Sequence, residues 1–183
     1  AVNEVAARLR PHRMRVGYHN HTTDFNRIDG EYWWNRFADQ TAKDVMLQFD
    51  TGNASEMQGV TPQALIRRNV GRTISIHVKP FSKKDPNAYL GSDELDWPAI
   101  MTAAETVGGV EWYIIEYERE GVPPLESLST ANPTLVARVM GVPRPGPKLR
   151  EYTTAVLISI TADVLIVAAG AARGSQEYTG LMF

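Results

Sequence analysis

Apolar positions along this chain follow two alternating periods. A period of two marks four strands: Val16 to His21 (Val-Gly-Tyr-His-Asn-His), Val45 to Asp50 (Val-Met-Leu-Gln-Phe-Asp), Thr73 to Lys79, and Glu111 to Glu118. In the first, His19 and His21 share one face while Tyr18 and Asn20 take the other. In the third, Ile74, Ile76 and Val78 face one way and Thr73, Ser75, His77 and Lys79 the other. In the fourth, Trp112, Ile114, Glu116 and Glu118 lie together.

Helical periodicity fills the intervals. Asn3 to Leu9 contains good helix formers and is halted by Pro11, whose ring cannot continue a helix. Trp33, Trp34 and Phe37 give Glu31 to Asp39 an apolar helical face. Thr61 stands at an N-cap with Pro62 in the first helical position and Ala64 and Leu65 behind it. Asp96 caps a further helix through Pro98, Ile100, Met101 and Ala104, which Gly108-Gly109 terminates. Thr22 to Gly30, Thr51-Gly52-Asn53 and Lys83 to Ser92 read as loops.

Strand, loop and helix therefore repeat, and the four strands end in polar groups at positions 19, 50, 77 and 116. Such separations are the length of single βα units, which make neighbouring strands parallel, because antiparallel pairs need only short turns. In parallel βα folds, binding groups gather at the carboxyl ends of the strands. All four polar terminations belong to that end.

Beyond Leu128 the pattern changes. Asn132-Pro133 followed by Thr134 to Met140 has the form of a short capped helix, and Val142 to Pro147 is rich in proline, as linkers are. Ala155 to Ala172 is almost wholly apolar but is interrupted by Asp163. Three readings stand open for it: a membrane anchor, for which a central Asp costs about 2.5–3.5 kcal/mol; a buried or partner-docked helix or strand; or a tail with no native structure.

Composition narrows the chemistry. The chain has 183 residues, 43% of them hydrophobic and 22% charged, as in a soluble globular protein with a sizeable core. A net charge of −2 with no basic block argues against nucleic acid as a partner. There is no cysteine, so thiolate chemistry, disulfides and Cys-type zinc sites are excluded. Histidines and carboxylates are the remaining strong metal ligands. The first residues carry no signal-peptide pattern, and the expected location is the cytoplasm.

Asp50, His77 and Glu116, with one group from the first strand, form a mixed nitrogen and oxygen set suited to Mn²⁺, Mg²⁺, Co²⁺ or Zn²⁺. Such an ion polarises a carbonyl or hydroxyl while a neighbouring carboxylate moves a proton. Each residue alone has a plainer explanation. A single His at a strand end is commonly a structural hydrogen-bonding group, and a single Asp there often caps a turn. Together they are harder to dismiss, since uncompensated inward carboxylates are costly to bury. Lys79, on the face of His77, either holds a substrate oxygen or is a solvated lysine. Glu118 lies further out than Glu116 and is expected at the surface. Trp97 reads as packing beside its helix cap, with an aromatic wall for a sugar ring as the alternative. Gly108-Gly109 lacks the spacing of a phosphate loop.

Five ordered segments carry a family resemblance: Gly-Tyr-His-Asn-His-Thr-Thr-Asp-Phe (17–25), Gln-Phe-Asp-Thr-Gly-Asn-Ala (48–54), Ser-Ile-His-Val-Lys-Pro-Phe (75–81), Leu-Gly-Ser-Asp-Glu-Leu-Asp-Trp (90–97) and Gly-Gly-Val-Glu-Trp-Tyr-Ile-Ile-Glu-Tyr-Glu (108–118). They resemble the sugar phosphate isomerase/epimerase family with the xylose isomerase-like TIM barrel. The resemblance covers about Val2 to Leu128 and divides the chain into residues 1–128 and an unrelated tail, 129–183. It implies an α/β fold, part of a (β/α)₈ barrel with about four βα units and its first strands missing. It also implies a divalent metal and proton transfer next to the carbonyl of a sugar, keto sugar or inositol derivative.

Carried over residue by residue, the resemblance makes His19, Asp50, His77 and Glu116 metal ligands. Glu116, Lys79 and His21 become acid/base or catalytic groups, and Asn53 and Lys79 substrate contacts. The sequence departs from the family where many members have a ligating Glu, here His19, and where the His-Asn-His subgroup usually has a Glu, here Asp24. A single-base isomerisation, or a dehydration or elimination on a keto sugar, therefore stands beside the two-glutamate proton exchange. Half a barrel leaves an open sheet edge, to be covered by the tail or by self-association into a homo-oligomer. A catalytically silent binding or assembly module, or a truncated non-functional fragment of such an enzyme, is the alternative.

Overall fold

The computed structural model describes residues 1–117, 124–131, 133, 135–136, 157–161 and 164–170. It is a mixed α/β fold around one mostly parallel sheet. In chain order the elements are α1 (Val2–Leu9), β1 (Gly17–His19), a hairpin of β2 (Arg27–Ile28) and β3 (Glu31–Tyr32), α2 (Trp33–Gln40), β4 (Met46–Asp50), α3 (Thr51–Ser55) and α4 (Pro62–Arg68). They continue with β5 (Ser75–Val78), α5 (Trp97–Ala103), β6 (Trp112–Tyr117), α6 (Pro124–Thr130), β7 (Leu157–Thr161) and β8 (Val164–Gly170).

The main sheet runs β1-β4-β5-β6-β8-β7. Its first four strands are parallel, each beside the next in sequence apart from the small β2–β3 hairpin. The registers Asp50↔His77 and His77↔Ile114 put the carboxyl ends of β4, β5 and β6 at one rim. That alignment is what brings polar groups far apart in sequence within reach of one another.

The four expected strands, and the helices between them, are present, with two bounds shifted: β1 ends at His19, leaving His21 at the head of the following turn, and α2 begins at Trp33 because Glu31–Tyr32 pair with Arg27–Ile28. Asp96 caps α5 with its carboxylate, which accepts from the Ala99 N–H at 3.1 Å. α5 passes into a π-helical turn, Ala104–Gly108, and Gly109 closes it at φ 76°, where a side chain would be strained. Thr61 occupies the N-cap of α4 with Pro62 behind it, but its hydroxyl makes no capping bond. Two expected loops contain regular structure. Thr22–Phe25 is a 3₁₀ turn leading into the β2–β3 hairpin, and Thr51-Gly52-Asn53 opens α3 directly from β4. The reason for the second is that Asp50 ends β4 and caps α3 at once, leaving no connecting residues.

The core lies between the sheet and its helices. Leu47, Phe49, Ile76, Val78 and Ile115 contribute from the strands, and Trp34, Ile66, Ile100 and Met101 from the helices. Trp97 is buried among them with its indole N–H donating to Asp93 at 2.6 Å, so it is a packing residue. Tyr18 packs against Trp33 and Phe37 and donates its hydroxyl to Asp24 at 3.1 Å. Burial and the adjacent Asp24 push the Tyr18 phenol up to about 12.

Where a further βα unit would place another parallel strand, β6 instead pairs with β8 antiparallel, and β7 pairs with β8. Within the apolar stretch from Ala155 to Ala172, Leu157–Thr161 and Val164–Gly170 are therefore strands, paired to each other and to β6. No helix among the described residues is long and apolar enough to cross a membrane. The expected helix from Thr134 to Met140 falls largely outside the described residues, as do the linker from Val142 to Pro147 and Glu118.

At the opposite end of the sheet Arg72 is buried and bridges two segments. It donates to the carbonyls of Ala38 and Val45 and to the Thr41 hydroxyl. These bonds tie the end of α2 to the start of β4. Arg72→Ala strips partners from buried acceptors and should lower stability by about 2–4 kcal/mol. Urea unfolding of the variant measures this, and a loss below about 1 kcal/mol would mean that the carbonyls find other donors.

Candidate metal centre

The rim is assembled from strand ends and the residues that follow them. Asn20, fully buried between the two histidines, locks β1 to β4. Its side-chain carbonyl accepts from the Asp50 N–H at 2.8 Å and its amide donates to the Asp50 carbonyl at 3.2 Å. Its own backbone carbonyl accepts from the Asn53 side chain at 3.1 Å. Asp50 is therefore held from both sides. One carboxylate oxygen, Oδ1, accepts from the Asn53 N–H at 2.7 Å at the start of α3.

The other oxygen of Asp50 points into the site. Asp50 Oδ2 is buried and has no hydrogen bond among the described residues, and the same holds for Nδ1 of His19. His19 Nε2 lies 4.0 Å and His77 Nδ1 3.9 Å from that oxygen. The His19 and His77 rings stand 4.5 Å apart, and one ligand atom from each of His19, Asp50 and His77 falls within 4.8 Å of the others. This triad can hold a metal ion. Two imidazoles and a carboxylate are a donor set suited to a borderline divalent cation.

Electrostatics support the same reading. Burial, then the charge of nearby Glu116, raises the Asp50 carboxyl from its ordinary value to about 7. Burial and then His77 lower the His19 imidazole to about 4, so it is neutral and ready to ligate at neutral pH. A carboxylate that resists ionisation beside an unprotonated histidine is what a cation would relieve.

Glu116 stands beside this triad. One carboxylate oxygen contacts Nδ1 of His77, and the other accepts from Lys79 Nζ at 3.2 Å. Burial alone would raise its pKa, but the His77 bond and charge together with Lys79 hold it down at about 2. Lys79 also donates to Asn53 Oδ1 at 3.1 Å. Its side chain is only 14% exposed, so it is not the solvated lysine of the alternative reading.

His21 lies at the mouth. It is exposed, and its ring meets His19 edge-on at 5.0 Å. Its backbone N–H donates to Asp24 at 2.8 Å, and Asp24 also receives the Tyr18 hydroxyl. Asp24 thus closes the turn after β1.

Of the residues singled out from the sequence, the structure brings His19, Asp50 and His77 into one group. It sets Glu116, Lys79 and Asn53 in a linked chain beside them and His21 at the rim. Asn20 and Thr51 were not anticipated. Thr51 is fully buried, accepts from the Lys79 N–H at 3.0 Å and donates to the Lys79 carbonyl at 2.8 Å. The signal for Asn20 was its position between two histidines on the face opposite them, where an amide side chain has no solvent.

No protein-family model matches this chain, and comparison with curated proteins gives no match.

Metal binding should be pH-dependent with a definite sign. Because the Asp50 pKa is raised, the unfolded chain loses this proton near pH 4 while the metal-free fold keeps it until about pH 7. Metal-free stability therefore falls as pH rises through that window. The cation must displace the same proton, so its affinity should drop up to about tenfold per pH unit below 7. Asp50→Asn should abolish binding and, at pH 8, stabilise the metal-free protein by roughly 1–3 kcal/mol. Calorimetric titration with Mn²⁺ and thermal unfolding measure both, and His19→Ala should weaken binding where His21→Ala spares it.

Proposed function

We propose that this chain carries the metal-binding half of a sugar isomerase/epimerase-type enzyme built on a xylose isomerase-like (β/α)₈ barrel. It acts by proton transfer next to a carbonyl of a sugar, keto sugar or inositol derivative. The observation that carries the reading is the buried Asp50 Oδ2, without a hydrogen bond among the described residues, facing His19 and His77 at the carboxyl ends of neighbouring parallel strands. Binding groups of parallel βα folds gather at that rim.

His19, Asp50 and His77 would hold the divalent cation, with Glu116 as the fourth ligand that the family resemblance adds. When bound, the cation supplies Lewis-acid polarisation of a substrate oxygen.

The remaining roles fall to the chain's own side chains. Lys79 places a positive charge at the edge of the triad, where oxygen charge develops as a proton leaves the neighbouring carbon. Glu116 is fully ionised and free of a proton, as a general base must be, but its basicity is held down while Lys79 and His77 both contact it. A substrate oxygen that draws Lys79 toward itself removes one of those contacts and strengthens Glu116 as a base. The resting ion pair thus couples substrate arrival to base strength. Asn53, whose side-chain oxygen receives Lys79, is placed to share that ammonium with a substrate hydroxyl. His21, exposed at the mouth and beside His19, is placed to exchange a proton with solvent or to contact substrate.

A second reading is favoured by the antiparallel β8–β7 hairpin on the edge of β6. There the chain would be a binding or assembly module that keeps the donor cluster but not turnover. The two readings part on one experiment. Metal-loaded protein in D₂O should introduce deuterium next to the carbonyl of a ketose or keto-inositol, followed by NMR. Glu116→Gln should slow exchange about 10²–10⁴-fold, and Lys79→Met about 10²–10³-fold. Bound metal with no exchange across such a panel would reject the enzymatic reading and leave the silent module.

A further inference from the structure

Gly52 has no backbone reason to be glycine. It sits in the first turn of α3 and is not among the glycines with left-handed φ. In a helix, glycine costs about 1 kcal/mol relative to alanine. Its surroundings supply another reason. A Cβ at Gly52 would lie 2.6 Å from Lys79 Cγ, 3.0 Å from Cδ and 3.1 Å from Cβ. These are consecutive atoms at the root of the lysine stem, so the stem could not yield by moving its tip alone.

The neighbours of Gly52 hold the rest of the same residue. The Thr51 hydroxyl accepts from the Lys79 N–H and donates to the Lys79 carbonyl, at 3.0 and 2.8 Å. It is also 3.1 Å from the His77 carbonyl. Asn53 Oδ1 accepts from the ammonium at 3.1 Å. Three consecutive residues therefore govern Lys79 at three levels: backbone, stem and head.

We infer that Gly52 is a positioning residue for Lys79: the missing side chain is the channel through which the lysine stem crosses α3 to bring its ammonium onto Glu116. The stem lies flat against the helix because Gly52 offers no Cβ, and the ammonium then spans Asn53 and Glu116 with 3.1 and 3.2 Å contacts. An alanine there forces the stem off the helix and carries the charge away from Glu116, while Asp50, His19 and His77 keep their places. The catalytic consequence rests on the function proposed above; the placement of Lys79 does not.

The test separates the two. In metal-loaded protein reductively methylated with ¹³C-formaldehyde, the Lys79 resonance is the one absent from Lys79→Ala. Gly52→Ala should move it to the position of the exposed lysines. The clash also predicts a reversal of sign in thermal unfolding. With Lys79 present, Gly52→Ala should lower the midpoint. In the Lys79→Ala background, where most of the stem is gone, it should raise the midpoint by roughly 2–4 °C through alanine's better helix propensity. If wild-type protein exchanges deuterium, Gly52→Ala should lower kcat for exchange about 10–100-fold with KM little changed. The double variant should then be no slower than Lys79→Ala alone. An unmoved Lys79 resonance, or stabilisation by Gly52→Ala while Lys79 is present, overturns the inference. Wild-type protein without exchange defeats the proposed reaction and leaves the resonance and the midpoint to decide the role of Gly52.

Discussion

The rest of the rim depends on the burial of one carboxylate. Asp50 is fully enclosed, yet among the described residues only one of its oxygens accepts a hydrogen bond, from the Asn53 N–H. Leaving the other oxygen dry is expensive, because a charge removed from water loses far more than one ordinary hydrogen bond returns. The fold nevertheless fixes Asp50 firmly. Asn20 clamps its backbone from β1, β5 runs beside it in register, and α3 begins at its side chain. Two imidazoles lie about 4 Å from its free oxygen, and a cation held by the three would offset that cost.

From that constraint a division of labour follows. His19, Asp50 and His77 form the side that could hold a cation. Glu116, Lys79 and Asn53 form a charged relay whose members are already paired with one another. His77 joins the two through its contact with Glu116. The same Nδ1 faces both carboxylates, so any event that changes its hydrogen bonding is felt on both sides. Coupling of this kind makes single substitutions non-additive, and pairs of variants are needed to apportion their effects.

Much of this was legible in the sequence because parallel βα units have a simple grammar. Strand periodicity, the cap at Asp96 and the stop at Gly109 located the elements, and polar residues at four strand ends located the rim. What stayed hidden involved residues with two roles. Asp50 serves as ligand candidate and helix cap together, so Thr51-Gly52-Asn53 read as a loop although it opens α3. Gly52 looked like a turn residue, whereas its significance is the space it leaves for a lysine distant in sequence. Arg72 gave no periodic signal because its partners are main-chain carbonyls on other elements. The stretch from Ala155 to Ala172 was ambiguous for a different reason: an almost wholly apolar run has little period to read, and pairing with β6 distinguishes strand from helix.

We propose that the Asp50 triad binds a divalent cation through imidazole nitrogen and carboxylate oxygen. Pulsed electron paramagnetic resonance of the metal-stripped protein titrated with Mn²⁺ reads this directly. The account predicts binding of one equivalent, with ¹⁴N modulation from histidine that persists in His21→Ala and diminishes in His19→Ala. Mn²⁺ that retains the signal of the hexaaqua ion at neutral pH, or binds without any nitrogen coupling, would contradict it.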